Sequence, residues 1–182
     1  MRPSARDAIV DAAFDIFSRD PSASLAEVAQ RAGVGRATLH RHFAGRDELV
    51  RALALIAIEE MDHAAEAACA GATSATEAFH RTLIALIPLG DRHGFLALEP
   101  IDDDPAIAAE LARQQRETAD MVEQAKLEGV FDTGIPTSWI IQAFDHLLYA
   151  AWESVKSDET THQQAADLAW RTLTLGLGGK SR

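Results

Sequence analysis

The chain has 182 residues, an apolar fraction of 47% and a formal net charge of −11, which allows one or two domains with a buried core. Its longest apolar runs span seven residues, far below the ~20 needed to cross a bilayer, and no signal-peptide core is expected at its start. These features argue against a membrane protein, and the single cysteine, Cys69, excludes an internal disulfide and favours a cytoplasmic location.

Charge is divided unevenly along the chain. Residues 1–51 hold eight arginines and seven acids, a net charge of +1. Residues 52–182 hold nine lysines and arginines and 21 acids, a net charge of −12. Because DNA repels an acidic body, any contact with nucleic acid is expected from the amino-terminal end.

Helical periodicity begins with a predicted helix over residues 4–19, which ends before Pro21. Ser24 and Glu27 then match a capping box, in which the serine hydroxyl accepts a hydrogen bond from the Glu27 N–H and the carboxylate reaches back to the Ser24 N–H. Apolar residues at helical spacing follow up to Ala32. The pattern predicts a two-turn helix that begins just after the serine.

A glycine turn joins this helix to a second short one. Gly33 suits the positive φ that often follows a helix end. The sequence from Arg36 to Phe43 predicts a helix with Leu39 and Phe43 inward, and with Arg36 and Arg41 on the outer side. Two short helices joined in this way form a helix-turn-helix, whose second helix enters the DNA major groove.

A longer ordered pattern overlies these two helices and the start of the next one. It comprises Val28, Ala29, Ala32, Gly33, Val34, Thr38, Leu39, His42, Phe43, Arg46, Asp47 and Leu49. In this order and spacing the residues resemble the tetracycline-repressor-like (TetR) family of bacterial regulators, and the likeness covers residues 5–51. The resemblance implies an all-α fold, with a helix-turn-helix DNA-binding domain over residues 1–50 (motif 24–43) and a helical ligand-binding and dimerisation domain over residues 51–182.

The resemblance also implies which residues meet DNA. Base edges are usually read from the start of the second helix of the motif, and a helix N-terminus near the DNA backbone favours a phosphate. The predicted DNA-contacting residues are Ser24, Leu25, Gly35, Arg36, Ala37, Thr38, His40, Arg41, His42 and Arg46. A charge run by itself more often solvates a helix face, but the motif beneath these arginines favours nucleic acid.

The rest of the chain is predicted as helices separated by glycine and proline breaks. They are expected over residues 46–70, 74–89, 105–128, 136–156 and 160–176, with an irregular segment over 90–104 that contains a short helix at 93–98. No strand pattern or internal repeat stands out, so the sequence predicts about nine helices. The predicted domain boundary near residue 50 falls inside or at the start of a helix, which predicts no flexible linker.

The last two predicted helices are apolar on more than one face. They can be buried in the core of a single chain, or they can pack both on their own domain and on a second copy. The resemblance implies the second arrangement, a four-helix homodimer interface. The predicted interface residues are Ile140, Phe144, Leu148, Trp152, Leu168 and Thr172.

The second domain also offers side chains for a cavity between helices. A small-molecule site is typically an apolar pocket with a few polar groups. The candidate lining residues are Phe79, Leu83, Phe95, Met121, Trp139, His146 and Tyr149. An ordinary packed core would use the same residues, and only the resemblance favours a pocket for a small apolar or amphipathic effector.

The sequence shows no constellation for catalysis or metal binding. It lacks a Gly-x-Ser-x-Gly, a phosphate-binding glycine loop and a His-Glu-x-x-His. His40 and His42 are two apart on one helix and point in different directions. No enzymatic activity, cofactor or metal is therefore expected, and Cys69 is expected to be a small buried side chain.

These patterns together predict a homodimeric transcriptional regulator, most simply a repressor that binds a near-palindromic double-stranded DNA operator and is released by a small molecule. The alternative is a helical sensor or interaction protein with a vestigial DNA-binding half. The acidic net charge favours that alternative, and the arginines of the motif oppose it. A helical enzyme is disfavoured because no acid, base or nucleophile group assembles.

Overall fold

A computed structural model describes residues 4–99 and 104–177, and all of the regular structure in these residues is helical. The elements in chain order are α1 (Ala5–Phe17), α2 (Leu25–Arg31), α3 (Arg36–His42), α4 (Arg46–Cys69), α5 (Ala75–Leu86), a 3-10 turn (Ile87–Leu89), α6 (Gly90–Leu98), α7 (Pro105–Leu127), α8 (Thr137–Lys156) and α9 (His162–Leu177). The all-α prediction is confirmed. No helix in the described residues is long and apolar enough to cross a membrane.

The predicted helices agree with these bounds to within a few residues, and the main difference lies at the start of α6. The sequence predicts an irregular stretch there, whereas the structure begins α6 at Gly90, directly after the 3-10 turn. Pro88 lies in the first part of that turn, where its missing N–H costs no helical hydrogen bond. Three stretches of the predicted domains lie outside the described residues: 1–3, 100–103 and 178–182.

Side-chain caps begin the first two helices. The Ser24 backbone N–H donates to Glu27 Oε2 over 2.7 Å, and the Glu27 N–H donates to Ser24 Oγ over 3.3 Å. Ser4 and Asp7 form the same reciprocal cap at α1. The capping box predicted at Ser24 is therefore confirmed, and so is the positive φ of Gly33, which is 68°.

The chain folds into two compact units. The first comprises Met1–Glu59 and Asp91–Ala109, and the second comprises Glu60–Gly90 and Glu110–Arg182. Helices α4 and α7 each continue along the chain from one unit into the other without a break. The predicted boundary near residue 50, which concerns functional domains, stays a prediction.

Aromatic and aliphatic side chains fill the core of the first unit. Phe14, Phe17, Leu39 and Leu49 are almost fully buried. Phe95 of α6 meets Phe14 of α1 edge to face, with ring centroids 5.5 Å apart, a favourable geometry for two aromatic rings. The helices before and after α3 are thus held in one packed body that supports the motif.

The core of the second unit is a larger cluster built from α5, α7, α8 and α9. Phe79 lies at its centre, stacked on Phe144 with centroids 4.6 Å apart and edge to face with Phe131. Cys69 is half-buried, not fully buried as expected from the sequence, and its Sγ lies 3.5 Å from Thr82 Oγ1.

Candidate nucleic-acid interface

The turn between α2 and α3 fixes which face of α3 points outward. The Val34 N–H donates to the Ala29 carbonyl over 3.0 Å, which closes the corner after Gly33. Leu39 and Phe43 are then 1% and 3% exposed, so one side of α3 is anchored in the core. The opposite side is left open to solvent, as the sequence predicts.

Basic side chains dominate this outer side. Arg36 and Arg41 are exposed, and among the described residues no carboxylate lies within ion-pair distance of either guanidinium. The first turn of α3 contains no acid, and its last turn contains His40, Arg41 and His42. Two free guanidinium groups on a short helix are suited to a polyanion, because each can donate two parallel hydrogen bonds to a phosphate or to a guanine edge.

A shallow groove of about 190 Å³ lies between the start of α2 and this helix. It is lined by Leu25, Ala26, Arg36, Leu39 and His40. Leu25, Arg36 and His40 of the predicted set are therefore brought together along one concave strip. Ala37 is exposed beside them, and Gly35 is the exposed N-cap residue of α3.

Three other predicted contact residues are less accessible to DNA. Thr38 and His42 are half-buried, so only part of each side chain is accessible. The Ser24 hydroxyl donates to Glu27 Oε2 over 2.7 Å and is engaged in the cap of α2. The hydrogen bonds from Ser24 lower the pKa of Glu27 and keep a negative charge at the start of α2.

Arg46 stands apart from the other predicted DNA contacts. Its guanidinium donates to the Ala23 carbonyl over 2.8 Å, to the Pro21 carbonyl, and to Glu99 Oε1 over 2.6 Å. The same group lies 4.3 Å from the ring centroid of Phe17. The structure therefore places this arginine against the inside of the first unit, with a side chain only 33% exposed.

Glu99 follows α6 and is the acidic partner of this arginine. Its side chain is 5% exposed. Burial raises the pKa of the Glu99 carboxyl above its ordinary value, and the adjacent Arg46 guanidinium opposes the rise. No sequence signal singles out Glu99, because a lone glutamate after a short helix has no pattern of its own.

Comparisons with known proteins match both the motif and the whole chain. Residues 9–53 match the family model described as bacterial regulatory proteins, tetR family. The chain is 31% identical over 177 residues to the HTH-type transcriptional repressor LfrR of Mycolicibacterium smegmatis, over 97% of this chain and 92% of LfrR. The chain belongs to the TetR family. This confirms the resemblance drawn from the motif, and the TetR-family chain is a DNA-binding transcriptional regulator, not an enzyme.

Solved structures support the same fold. The crystal structure of the TetR-like regulator LfrR from Mycobacterium smegmatis in complex with proflavine has a TM-score of 0.73 and 30% identity, over 95% of this chain and 96% of that one. The ketosteroid transcriptional regulator KstR2 of Mycobacterium tuberculosis has a TM-score of 0.77 at 16% identity, over 99% and 98% of the two chains. At that identity the second likeness shows the fold alone.

The residues that the sequence predicts for an effector pocket lie in three environments in this TetR-family chain. Phe79 and Leu83 are buried in the core of the second unit, and Met121 packs against that core. Phe95 belongs to the first unit. The exposed members of the set are Trp139, His146 and Tyr149. The structure therefore brings together three of the seven.

The predicted dimer residues also divide into two groups. Four of them, Ile140, Phe144, Leu148 and Trp152, are at most 7% exposed within the chain itself. Leu168 and Thr172 are exposed on α9. Leu175, which is 80% exposed, lies on the same side of α9 because positions 168, 172 and 175 follow helical spacing. That spacing is the signal by which Leu175 could have been found from the sequence.

Proposed function

We propose that this regulator is a homodimeric repressor that binds a near-palindromic operator. Each chain presents one α3, and two copies related by a two-fold axis present the pair needed for successive major grooves, about 34–36 Å apart. The observation that carries the proposal is the outer side of α3, where Arg36 and Arg41 are exposed without acidic partners among the described residues.

The charge distribution supports the same orientation on DNA. The stretch from residue 52 onward carries a net charge of −12, so DNA repels most of the chain's surface. Attraction is confined to the amino-terminal end, where counterion release on phosphate contact supplies much of the affinity. The acidic body thus opposes non-specific binding in other orientations.

Individual residues of the motif receive separate roles in the proposal. Arg36, Ala37 and Thr38, at the start of α3, face base edges; Ala37 offers a methyl group of the kind that meets a thymine methyl. Arg41 and His40 lie further along the helix and take phosphates or base edges. The start of α2, at Ser24 and Leu25, approaches a phosphate. Gly35 and His42 lie at the two ends of α3.

We propose that the two-fold contact is made by the outer faces of α8 and α9. Trp139 is 60% exposed and Tyr149 37% exposed on α8, and Leu168 is 51% exposed on α9. On α8 the exposed positions 139, 142, 146 and 149 share one face. A two-fold interface needs a self-complementary patch, and large exposed apolar side chains on two adjacent helices supply one.

The effector in this proposal is a small apolar or amphipathic molecule bound in the second unit. The core there contains Phe79, Leu83 and the adaptable side chain of Met121, which tolerates repacking around a guest. The LfrR relative, crystallised with proflavine, makes that aromatic dye a suitable first probe. A bound effector that favours the DNA-free form must bind the DNA-bound form more weakly by the same factor.

Selection from a pool of random duplexes tests the operator proposal. The recovered sequences should contain two inverted half-sites with centres about 10 base pairs, or a multiple of that, apart. Fluorescence anisotropy on the selected duplex should give an affinity that falls steeply with salt. Recovery of no common sequence, or of a single half-site without an inverted copy, contradicts the proposal.

Thermal unfolding tests the effector proposal. Proflavine should raise the melting temperature of the DNA-free protein, because a ligand stabilises the state that it binds. Met121→Trp should abolish the rise by filling the core, while Leu127→Trp, at a position on the same helix that is 76% exposed, should keep it. A rise of the same size in both variants would place the dye elsewhere.

A further inference from the structure

The guanidinium of Arg46 lies where three parts of the first unit meet. Arg46 is the first residue of α4. The carbonyls that it binds belong to Pro21 and Ala23, in the segment between α1 and α2. Ala23 directly precedes Ser24, the N-cap residue of α2. The arginine therefore connects the first turn of α4 to the residues that set where the helix-turn-helix begins.

Glu99 provides the third connection. Its Oε1 accepts from the Arg46 guanidinium over 2.6 Å, and its side chain is 5% exposed. Phe17 covers the guanidinium from another side, at 4.3 Å. Three acceptors thus engage three of the five guanidinium N–H donors, and an aromatic ring covers one face of the planar group.

We propose that Arg46 acts in DNA recognition as an internal positioning residue, with Glu99 as its partner, and does not contact a phosphate. The pair holds the segment before α2 against the start of α4 and the end of α6, and so fixes the angle at which α3 is presented. This inference rests on the proposed role of α3 as the DNA-reading helix. It differs from the expectation, drawn from the motif, that Arg46 meets DNA.

The chemistry of the site requires an arginine. A guanidinium is planar and donates in several directions at once, whereas a lysine ammonium is a compact charge that cannot span carbonyls on one side and a carboxylate on the other. Removing the guanidinium leaves the buried Glu99 carboxylate without its cation and two carbonyls without their donor. A phosphate contact, in contrast, depends mainly on charge, and a lysine preserves much of it.

Removing a phosphate contact and removing a positioning residue have different effects on DNA binding. Loss of a phosphate contact reduces the salt slope of binding by about one. Loss of a positioning residue weakens binding while the number of phosphates neutralised, and hence the slope, stays the same. Because Glu99 is buried, a loss of DNA affinity on its substitution also points to positioning, whereas an arginine in contact with a phosphate would bind more tightly without its competing carboxylate.

Anisotropy titrations of the full-length protein on the selected operator, across a salt series, test the inference. Arg46→Ala should weaken binding by about tenfold or more with the salt slope of the wild type, and Arg46→Lys should not restore it. Glu99→Ala should weaken binding in the same way. The double variant Arg46→Ala with Glu99→Ala should have a DNA affinity no lower than that of the single variant with the lower affinity. Both substitutions break the same Arg46–Glu99 pair, so their effects should not add.

Two controls separate this inference from the proposed function. Arg41→Ala should weaken binding, with a salt slope lowered by about one if a phosphate contact is lost or with relaxed specificity if a base contact is lost; if affinity, slope and specificity all stay at the wild-type level, the role given to α3 is wrong, whatever Arg46 does. Arg116→Ala, an exposed arginine of α7, should change neither affinity nor slope. The melting temperature of each variant identifies any that fails to fold.

Glu99→Gln keeps the test decisive if the alanine variants unfold. This change retains the size and the acceptor of the side chain and removes its charge. It should remain folded and weaken DNA binding less than Arg46→Ala, with an unchanged slope. Wild-type affinity in folded Glu99→Gln and Arg46→Lys, together with a slope lowered by about one in Arg46→Ala, would overturn the inference and make Arg46 a phosphate contact.

Discussion

The outer side of α3 and the outer faces of α8 and α9 are both exposed, yet their side chains differ in chemistry. On α3 the exposed polar side chains are Arg36, Arg41 and His40, without an acid in the first turn. On α8 and α9 the large apolar side chains of Trp139 and Leu168 are 60% and 51% exposed, beside polar ones such as Gln142, His146 and Arg171. Each face suits a different partner: a polyanion for the first, and a second copy of the same apolar face for the other.

The two faces also differ in how well the sequence defines them. The motif around α3 specifies both the helix and its phase, because Leu39 and Phe43 must point inward for the turn at Gly33 to close. On α8 a surplus of apolar residues shows only that more than one side is apolar. It does not tell which side faces the chain's own core, and the structure turns Ile140 inward.

The largest effect is expected from placing a charge on the apolar face. Trp139→Glu combined with Leu168→Glu should convert the dimer to a monomer, because two carboxylates from each chain would be buried in the apolar interface. Operator affinity should then fall by about 100-fold or more, since the gain from linking two binding modules is lost. Light scattering gives the mass, and anisotropy the affinity.

Leu127→Glu provides the matched control for that prediction. Leu127 is 76% exposed on α7, outside the two helices assigned to the interface. This variant should remain a dimer with wild-type affinity. If the double variant on α8 and α9 also stays dimeric, the interface lies elsewhere.

A smaller effect is expected on the basic face. Arg36→Ala and Arg41→Ala should each reduce operator affinity by about 1–3 kcal/mol if a base contact is lost, with relaxed specificity at that base pair. Dimer mass and melting temperature should not change, because both side chains are exposed. Arg116→Ala on α7 removes the same charge as a control. Wild-type binding by both α3 variants would show that this face does not read DNA.

The sequence predicts the first unit better than the second for a physical reason. Caps, the glycine turn and the inward pair on α3 are local features, so the order of residues determines them. Arg46 illustrates the limit: the motif gives its identity and position, but its partner Glu99 is 53 residues away and only the fold brings them together. Phe95 is a second example, since the sequence groups it with residues of the second unit, whereas its ring packs on Phe14 in the first unit.

A substitution at Gly90 tests which way the side chain of Trp152 points on α8. It faces inward in the structure, whereas the dimer interface predicted from the sequence requires it to face outward. A Cβ added at Gly90 would lie 2.2 Å from Trp152 Cγ. Gly90→Ala should therefore destabilise the fold by about 1–3 kcal/mol through overpacking. Calorimetry on both proteins at one concentration measures the resulting fall in melting temperature.

The control for this substitution is Gly176→Ala on α9, where an added Cβ meets nothing within 4 Å. Its melting temperature should be unchanged or slightly raised, because alanine is favoured over glycine in a helix by about 0.5–1 kcal/mol. Equal shifts in the two variants would mean that Trp152 does not pack on Gly90.

The smallest effect concerns the inward side of α9. His80 stacks on Trp170 with centroids 4.5 Å apart, and burial lowers the pKa of His80, an effect that Asp167 opposes. The folded chain then binds a proton less readily than the unfolded chain, so stability falls as pH drops below the ordinary histidine pKa of about 6.5. His80→Phe should reduce the loss of melting temperature between pH 7.5 and 5.5. An identical loss in both proteins would assign the acid sensitivity to other groups.

Methylation interference on the selected operator shows whether two copies of α3 read successive major grooves. Methylation of guanine N7 blocks the major-groove edge of the base. Duplexes bound by the dimer should show two zones of interference related by inversion, with centres about 10–10.5 base pairs or a multiple of that apart. A single zone, or binding that methylation in the major groove does not affect, would contradict it.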